Sequence, residues 1–253
     1  MIGPGRSGER ATSQTVKAQL ALRDLVLEGK LKPGERVSEL QMVDWLGVSR
    51  TPVRTALARL AEEGLLEAIP SGGFAVRAFS EREVFEAIEI RGTLEGLAAR
   101  WAAERGAGPA DLERIARCLA AIDEVVLREE QTVDDVSRYV ELNAEFHSLI
   151  IALSGSQALA RELERVSALP FASPSALVQV QSASPEARYI LTVAQDQHRC
   201  VVDAIARRES GRAESIMREH ARLAHRNLER AFANQRILEL VPGSVLIQRR
   251  VRA

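Results

Sequence analysis

The apolar residues of this chain recur mostly at helical spacings, with one short alternating stretch near residue 70. In "TVKAQLALRDLVLEGKLKPGERV", Val16, Leu20 and Leu27 with Leu22 and Val26 keep helical spacing, and Gly29 followed by "KPGE" stops the helix. Ser38 can cap a short helix carrying Leu40, Val43 and Leu46, which Gly47 ends. A third helix starts at once. With Ser49 as its N-cap, Arg50, Thr51 and Pro52 occupy the first three helical positions, where backbone N–H groups lack an intrahelical acceptor and a proline costs little. Val53, Ala56, Leu57 and Leu60 then form an apolar stripe. Thr51 and Thr55 point away from it, and Arg50 and Arg54 flank it near the helix start. The stretch "LLEAIPSGGFAVRAF" reads as a hairpin with its turn at "PSGG". Three helices and a hairpin over residues 14–78 outline a winged helix-turn-helix.

From residue 81 the period is helical to 236, predicting helices near 81–105, 109–130, 132–154, 156–168, 185–208 and 211–235. The fold class is therefore mainly α: a winged helix-turn-helix followed by an all-helical bundle over 81–236. Residues 1–13, rich in Gly, Ser and Arg, read as a mobile tail. Residues 237–253 form a second tail, in which "SVLIQ" could pair as a strand with a partner the pattern does not name.

Composition adds little to this outline. At 253 residues and 46% apolar content the chain can fill two cores. No apolar run approaches the roughly 18 residues a spanning helix needs, and "MIGPGRSGER" lacks a signal-peptide core, so a cytoplasmic protein with no membrane partner is expected. Cys118 and Cys200 lie far apart, as reduced thiols do. The formal net charge is -1, but residues 1–80 hold 11 Lys/Arg against 9 Asp/Glu, so any nucleic-acid contact is local.

The third helix offers that locality. Arginine makes bidentate contacts to guanine in the major groove, and helix N-termini attract phosphate. Arg50 and Arg54 are base-edge candidates, and Ser49, Thr51 and Thr55 lie beside them for phosphate or base contacts. Gly72 and Gly73 let the wing approach a backbone closely. Taken whole, "GKLKPGERVSELQMVDWLGVSRTPVRTALARLAEEGLLEAIPSGGFAVR" resembles the N-terminal domain of the GntR family of bacterial transcription regulators. "LGVSRTPVRTAL", "EGLL" and the glycine wing carry the likeness over residues 14–77. It implies a homodimer on an inverted-repeat DNA operator, acting more commonly as a repressor than as an activator.

The helical region has its own candidates. Only four histidines occur in the chain. His147 and Asn143 share the apolar face of Tyr139, Leu142, Phe146, Leu149, Ile150 and Leu153; His198 aligns with Ala194, Val201 and Ile205; His220 aligns with Ile216, Met217, Leu223, Ala224 and Asn227. His225 falls off that last stripe. Three imidazoles and one amide thus converge from three helices, a donor set suited to Zn, Ni, Fe or a similar divalent ion, or else a set of hydrogen-bonded core residues. Arg91 lies on an inward row with Val84, Ile88, Glu95 and Ala98, either paired with Glu95 or free to clamp a ligand carboxylate.

"EIRGTLEGLAARWAAERG", "NAEFHSLIIALSGS" and "QDQHRCVVDAIARRESGRAESIMREHARLAHRNL" resemble the FCD effector domain of the FadR subfamily of GntR regulators over residues 81–232. The resemblance implies Asn143, His147, His198 and His220 as metal ligands, with Asn143 where Asp is usual; Arg91 and Glu95, from their place on the inward row, are the effector-binding candidates. Three neutral imidazoles and an amide leave a dication uncompensated and favour an anionic partner. Within the subfamily the likeness is greatest to regulators of aromatic acid catabolism such as the vanillate repressor, pointing to a small, aromatic organic acid. A metal-dependent hydrolase is the rival function. It lacks an H-E-x-x-H arrangement and a carboxylate evidently placed as general base, so no enzyme activity is expected.

Overall fold

The computed structural model describes residues 5–128, 132–178 and 187–248, with the backbone alone for 5–12. It divides into two compact units, one of residues 1–82 with 243–253 and one of residues 83–242. The division falls inside the first turn of a long helix.

In the first unit, α1 spans Gly5–Leu27. The expected tail therefore contributes helix from residue 5, because no proline follows Pro4 until Pro33 and Arg6, Glu9, Arg10 and Ala11 are good helix formers. Residues 1–4 of that tail lie outside the described residues. α1 buries Thr15, Ala18, Leu22 and Val26, while Val16 and Leu20 are exposed. Two apolar rows compete along this helix, and packing selects the second. α2 (Glu39–Leu46) is capped by the Ser38 hydroxyl, which accepts from the Gln41 N–H, and ends at Gly47 with φ 63°. Its buried residue is Met42; Leu40, expected inside, is exposed. α3 runs Arg50–Glu62 and buries Pro52, Val53, Ala56, Leu57 and Leu60, the stripe that the spacing predicts.

The hairpin is present as β2 (Leu66–Ala68) and β3 (Phe74–Val76), antiparallel, with β1 (Arg36–Val37) on the other edge of β3. Gly72 and Gly73 make its turn at φ 90° and 92°, values a side chain rarely tolerates. "SVLIQ" also finds its partner: Ile247–Gln248 (β5) pairs in parallel with Phe79–Ser80 (β4), after a 3-10 turn at Ser244–Leu246. The C-terminal segment thus returns to the first unit.

The second unit holds most of α4 (Glu81–Arg105), with α5 (Pro109–Val126), α6 (Val133–Leu153), α7 (Gln157–Ser167), α8 (Ala187–Ala206), α9 (Ser210–Ala233) and a short α10 (Gln235–Leu238). The first six match the expected helices to within a few residues, and α10 adds a helical turn where the second tail was expected to begin; positions 129–130 and 185–186 of those expectations lie outside the described residues. Thr132 and Asp135 form a reciprocal capping box at the start of α6. The main core joins Ala99, Ile115, Ile122, Phe146, Ile150, Val201, Ile205 and Met217 from α4, α5, α6, α8 and α9. α4 and α9 approach so closely that a Cβ on Gly92 would collide with the Ala221 methyl. That closeness brings Arg91 and Glu95 on α4 toward His220 on α9.

Candidate nucleic-acid interface and candidate metal centre

In the first unit the candidate residues sit on one exposed face. Ser49, Arg50, Thr51, Arg54 and Thr55 are all exposed on α3. Burial of the opposite stripe fixes which way they point. Among the described residues, several other arginines of this unit are engaged: Arg23 donates to Glu63 at 2.5 Å, Arg59 to Gln19 at 3.3 Å and Arg36 to the Gly72 carbonyl at 2.7 Å, and Arg77 lies over the Phe79 ring at 4.6 Å. Among the described residues, Arg50 and Arg54 have no such partner. The Ser49 hydroxyl makes no capping bond, and the Thr55 hydroxyl donates to the Thr51 carbonyl at 3.0 Å. Arg36 went unnoticed in the sequence, although its place opposite Ala75 on β3 follows once β1 is known to pair there. Its guanidinium holds the turn at which Gly72 and Gly73 are exposed.

The second unit gathers its candidates in the core. His147 on α6, His198 on α8 and His220 on α9 present ring nitrogens all within 4.8 Å of one another. His198 Nε2 and His220 Nε2 are 3.2 Å apart. Two nitrogens bound tetrahedrally to one zinc ion, at about 2.0–2.1 Å each, stand roughly 3.3 Å apart, so the pair already has a suitable spacing. His147 is buried and its Nε2 has no hydrogen-bond partner, which leaves an uncommitted lone-pair atom beside the other two rings. The donor set fits a divalent ion.

Asn143 is also buried, one turn before His147. Its amide nitrogen donates to Ser175 Oγ at 3.1 Å, and Ser175 in turn donates to the Val140 carbonyl at 3.0 Å. This chain of bonds fixes the amide and reserves its oxygen as the ligating end. Asn143 and His220 line a cavity of about 20 Å³ together with Arg91, Tyr139 and Ala194. That volume is room for about one water molecule, so an organic ligand requires the lining to yield. His225 lies elsewhere, tilted against Phe85 at 4.4 Å between ring centroids.

Arg91 and Glu95 are each 2% exposed and pair at 3.1 Å. Of the two alternatives for Arg91, the ion pair is formed. Glu95 Oε1 also lies 2.8 Å from His147 Nδ1. Burial pushes the Glu95 carboxyl up, but Arg91 and then His147 outweigh it and bring it down to about 2. The Glu95 carboxylate, expected on the inward row with Arg91, therefore stands against the histidine site; held so low, it is a poor general base. Burial, with repulsion between the rings, holds His198 well below the ordinary histidine range. Burial and the His147 ring lower His220 to about 3, against the pull of Glu95. Both imidazoles are neutral near pH 7, the form a metal ligand requires.

Behind the rings stand groups that the sequence analysis overlooked. His198 Nδ1 is 3.1 Å from Gln195 Oε1, and His220 Nδ1 is 3.3 Å from Gln197 Oε1. The signal lay in "QDQH", where Gln195 precedes His198 by three residues and so shares its helix face.

Comparisons with known proteins agree with this architecture. Residues 12–76 match "Bacterial regulatory proteins, gntR family", and residues 86–223 match the FCD domain. A probable D-xylose utilization operon transcriptional repressor of Paenarthrobacter nicotinovorans is 30% identical over 218 residues, covering 85% of this chain and 89% of that one. The uncharacterized HTH-type transcriptional regulator YdhC of Bacillus subtilis is 32% identical over 58% of this chain, and the Nta operon transcriptional regulator of Aminobacter aminovorans is 31% identical over 54%. In these last two, the match spans 64% and 61% of the relative's length. The solved structure of Escherichia coli McbR/YncC superposes with a TM-score of 0.61 at 22% identity, over 87% of this chain and 98% of that chain, a likeness of fold.

Proposed function

The chain belongs to the GntR family of bacterial transcriptional regulators, with an FCD domain behind its winged helix-turn-helix, and from that premise we propose that it is a cytoplasmic homodimeric repressor released or engaged by a small organic acid. The observation that carries the DNA half is the pair Arg50 and Arg54, exposed and unpartnered on the helix that opens at Ser49. Two such helices, one per protomer, read an inverted repeat when they meet major grooves about 34 Å apart. Ser49, Thr51 and Thr55 take phosphate or base contacts, and the wing at Gly72 and Gly73 lies along the backbone. No enzymatic step is assigned. Among the described residues no helix is long and apolar enough to cross a membrane.

In the FCD domain, Asn143, His147, His198 and His220 would hold a divalent ion such as zinc or nickel. When bound, such an ion supplies a positive charge that attracts an anionic oxygen. Arg91 is fixed by Glu95, and its Nε has no hydrogen-bond partner, so a carboxylate entering the cavity would find a donor there. Aromatic carboxylates, the ligand class that the sequence resemblance implies, are the first to try. The ligand alters DNA affinity only to the extent that it favours one arrangement of the dimer; a tenfold change needs about 1.4 kcal/mol.

The decisive experiment compares wild type and Arg54→Ala on the chain's own promoter and on scrambled duplex at one salt concentration. Wild type should prefer the promoter and give a two-fold symmetric footprint. Arg54→Ala should lose about 1–3 kcal/mol of that discrimination while remaining folded. Equal binding of wild type to both duplexes would refute the reading. Metal content of untagged protein, against His147→Ala, tests the second half.

A further inference from the structure

The metal reading leaves open how a ring with two nitrogens presents the correct one, and the groups around His198 answer that. His198 is fully buried, and its Nδ1 faces Gln195 Oε1 at 3.1 Å. The other end of the same amide, Gln195 Nε2, donates to two acceptors on α5: the Leu119 carbonyl at 2.9 Å and Asp123 Oδ1 at 2.7 Å. Both acceptors are oxygens, one of a backbone carbonyl and one of a carboxylate. Turning the amide over would set its oxygen against both of them and cost both hydrogen bonds, the one to Leu119 buried and the one to Asp123 part-buried. The Gln195 oxygen is therefore committed to His198, and an oxygen can only accept. Asp123 is itself held by Arg199, whose guanidinium donates to the same Oδ1.

We propose that Gln195, locked by Leu119 and Asp123, is a positioning residue that fixes His198 as the Nδ1–H tautomer and so turns the Nε2 lone pair toward His147 and His220. This deepens the proposed metal site and rests on it. Gln195 touches neither metal nor effector; it acts through His198. The arrangement also ties the site to α5: the bonds run from Arg199 at the surface through Asp123 and Gln195 to the buried ring. His220 has a looser counterpart in Gln197 at 3.3 Å, with no second bond of that amide among the described contacts. The tautomer of His220 is free to change, and without a metal His220 can supply the one proton that lies between the two Nε2 atoms.

Two measurements on full-length protein test this separately. In metal-free protein near pH 7, nitrogen-15 chemical shifts of the His198 ring should show a protonated Nδ1 and an unprotonated Nε2, and Gln195→Leu should give a mixture of tautomers. In cobalt(II) titration, followed by the visible absorption band and by competition with a chromogenic chelator, Gln195→Leu should bind about 10–100-fold more weakly than wild type. Asp123→Asn, which keeps an acceptor oxygen for Gln195, should bind within a fewfold of wild type. A purely structural role would lower the melting point of Gln195→Leu and leave both the tautomer and the cobalt affinity unchanged; that result, or an Nε2–H tautomer in wild type, overturns the proposal. Wild type that binds no cobalt overturns the underlying metal reading instead, and the tautomer measurement, made without metal, tells the two failures apart.

Discussion

Arg54 and Arg91 are the same residue type put to opposite uses. Arg54 stands on α3 in water with no partner, whereas Arg91 is 2% exposed and held by a carboxylate as buried as itself. A solvated guanidinium costs the fold almost nothing and stays available to a phosphate or a base. A buried one is tolerable only inside a fixed set of partners, so its neighbours are as constrained as it is. Substitutions in the exposed set should change what the protein binds, and substitutions in the buried set should change whether that unit folds.

The sharpest break between the two comes from Glu95→Ala. It strands Arg91 without its counter-charge and should destabilise the protein by about 3–5 kcal/mol, read as a fall in the urea midpoint. Arg54→Ala in the same assay should move stability by less than about 0.5 kcal/mol. Replacing the pair together, by Arg91→Met with Glu95→Leu, should recover most of the loss. If Glu95→Ala is as stable as wild type, the pair contributes nothing and the contrast fails.

Acid provides the next test, again confined to the buried set. Glu95 is held at about 2 against its ordinary 4.5, and His198 and His220 lie below their ordinary 6.5, His220 at about 3. In each case the unfolded chain takes up protons before the folded one does. Stability from these groups is therefore complete above about pH 6.5, declines from there through the histidines, and declines further through Glu95 below about 4.5. Each group contributes a slope of about 1.4 kcal/mol per pH unit within its window. Metal-free protein should lose on the order of 2 kcal/mol between about pH 7 and pH 5.5, measured by urea unfolding. Arg50→Ala and Arg54→Ala should leave that profile unchanged. A flat profile through this range would mean that the histidines are as solvated as those of the unfolded chain.

What could be read from sequence follows the same division. The buried stripe of α3 was legible because Val53, Ala56, Leu57 and Leu60 form a single row with charged and hydroxyl residues opposite. α1 was not, because Val16 and Leu20 make a row as regular as that of Ala18, Leu22 and Val26, and only contact with the rest of the unit decides between them. The three histidines could be placed on inward faces, each helix by itself. What could not be read was which way each ring turns, since that depends on Leu119 and Asp123, remote in sequence from His198. The pairing of Ile247–Gln248 with Phe79–Ser80 was hidden for the same reason, as a two-residue parallel contact carries no local pattern.

The smallest effect is expected at two serines of the first unit that look alike in sequence. Ser38 and Ser49 both precede helices as N-caps, but the Ser38 hydroxyl accepts from the Gln41 N–H at 3.4 Å while that of Ser49 makes no capping bond. An N-cap hydroxyl that satisfies a helix N–H is worth about 1 kcal/mol, so Ser38→Ala should cost up to that amount in stability and leave the promoter affinity of the folded protein near wild type. Ser49→Ala should cost the fold less than about 0.5 kcal/mol, since no bond is lost. Its hydroxyl is instead free at the tip of the reading helix, where one neutral hydrogen bond to phosphate is worth about 1 kcal/mol, or roughly fivefold in affinity. Urea unfolding and promoter titration of the two variants should thus give opposite orders of effect. If Ser49→Ala unfolds as easily as Ser38→Ala and binds the promoter as wild type does, Ser49 belongs to the scaffold, and the exposed set begins at Arg50.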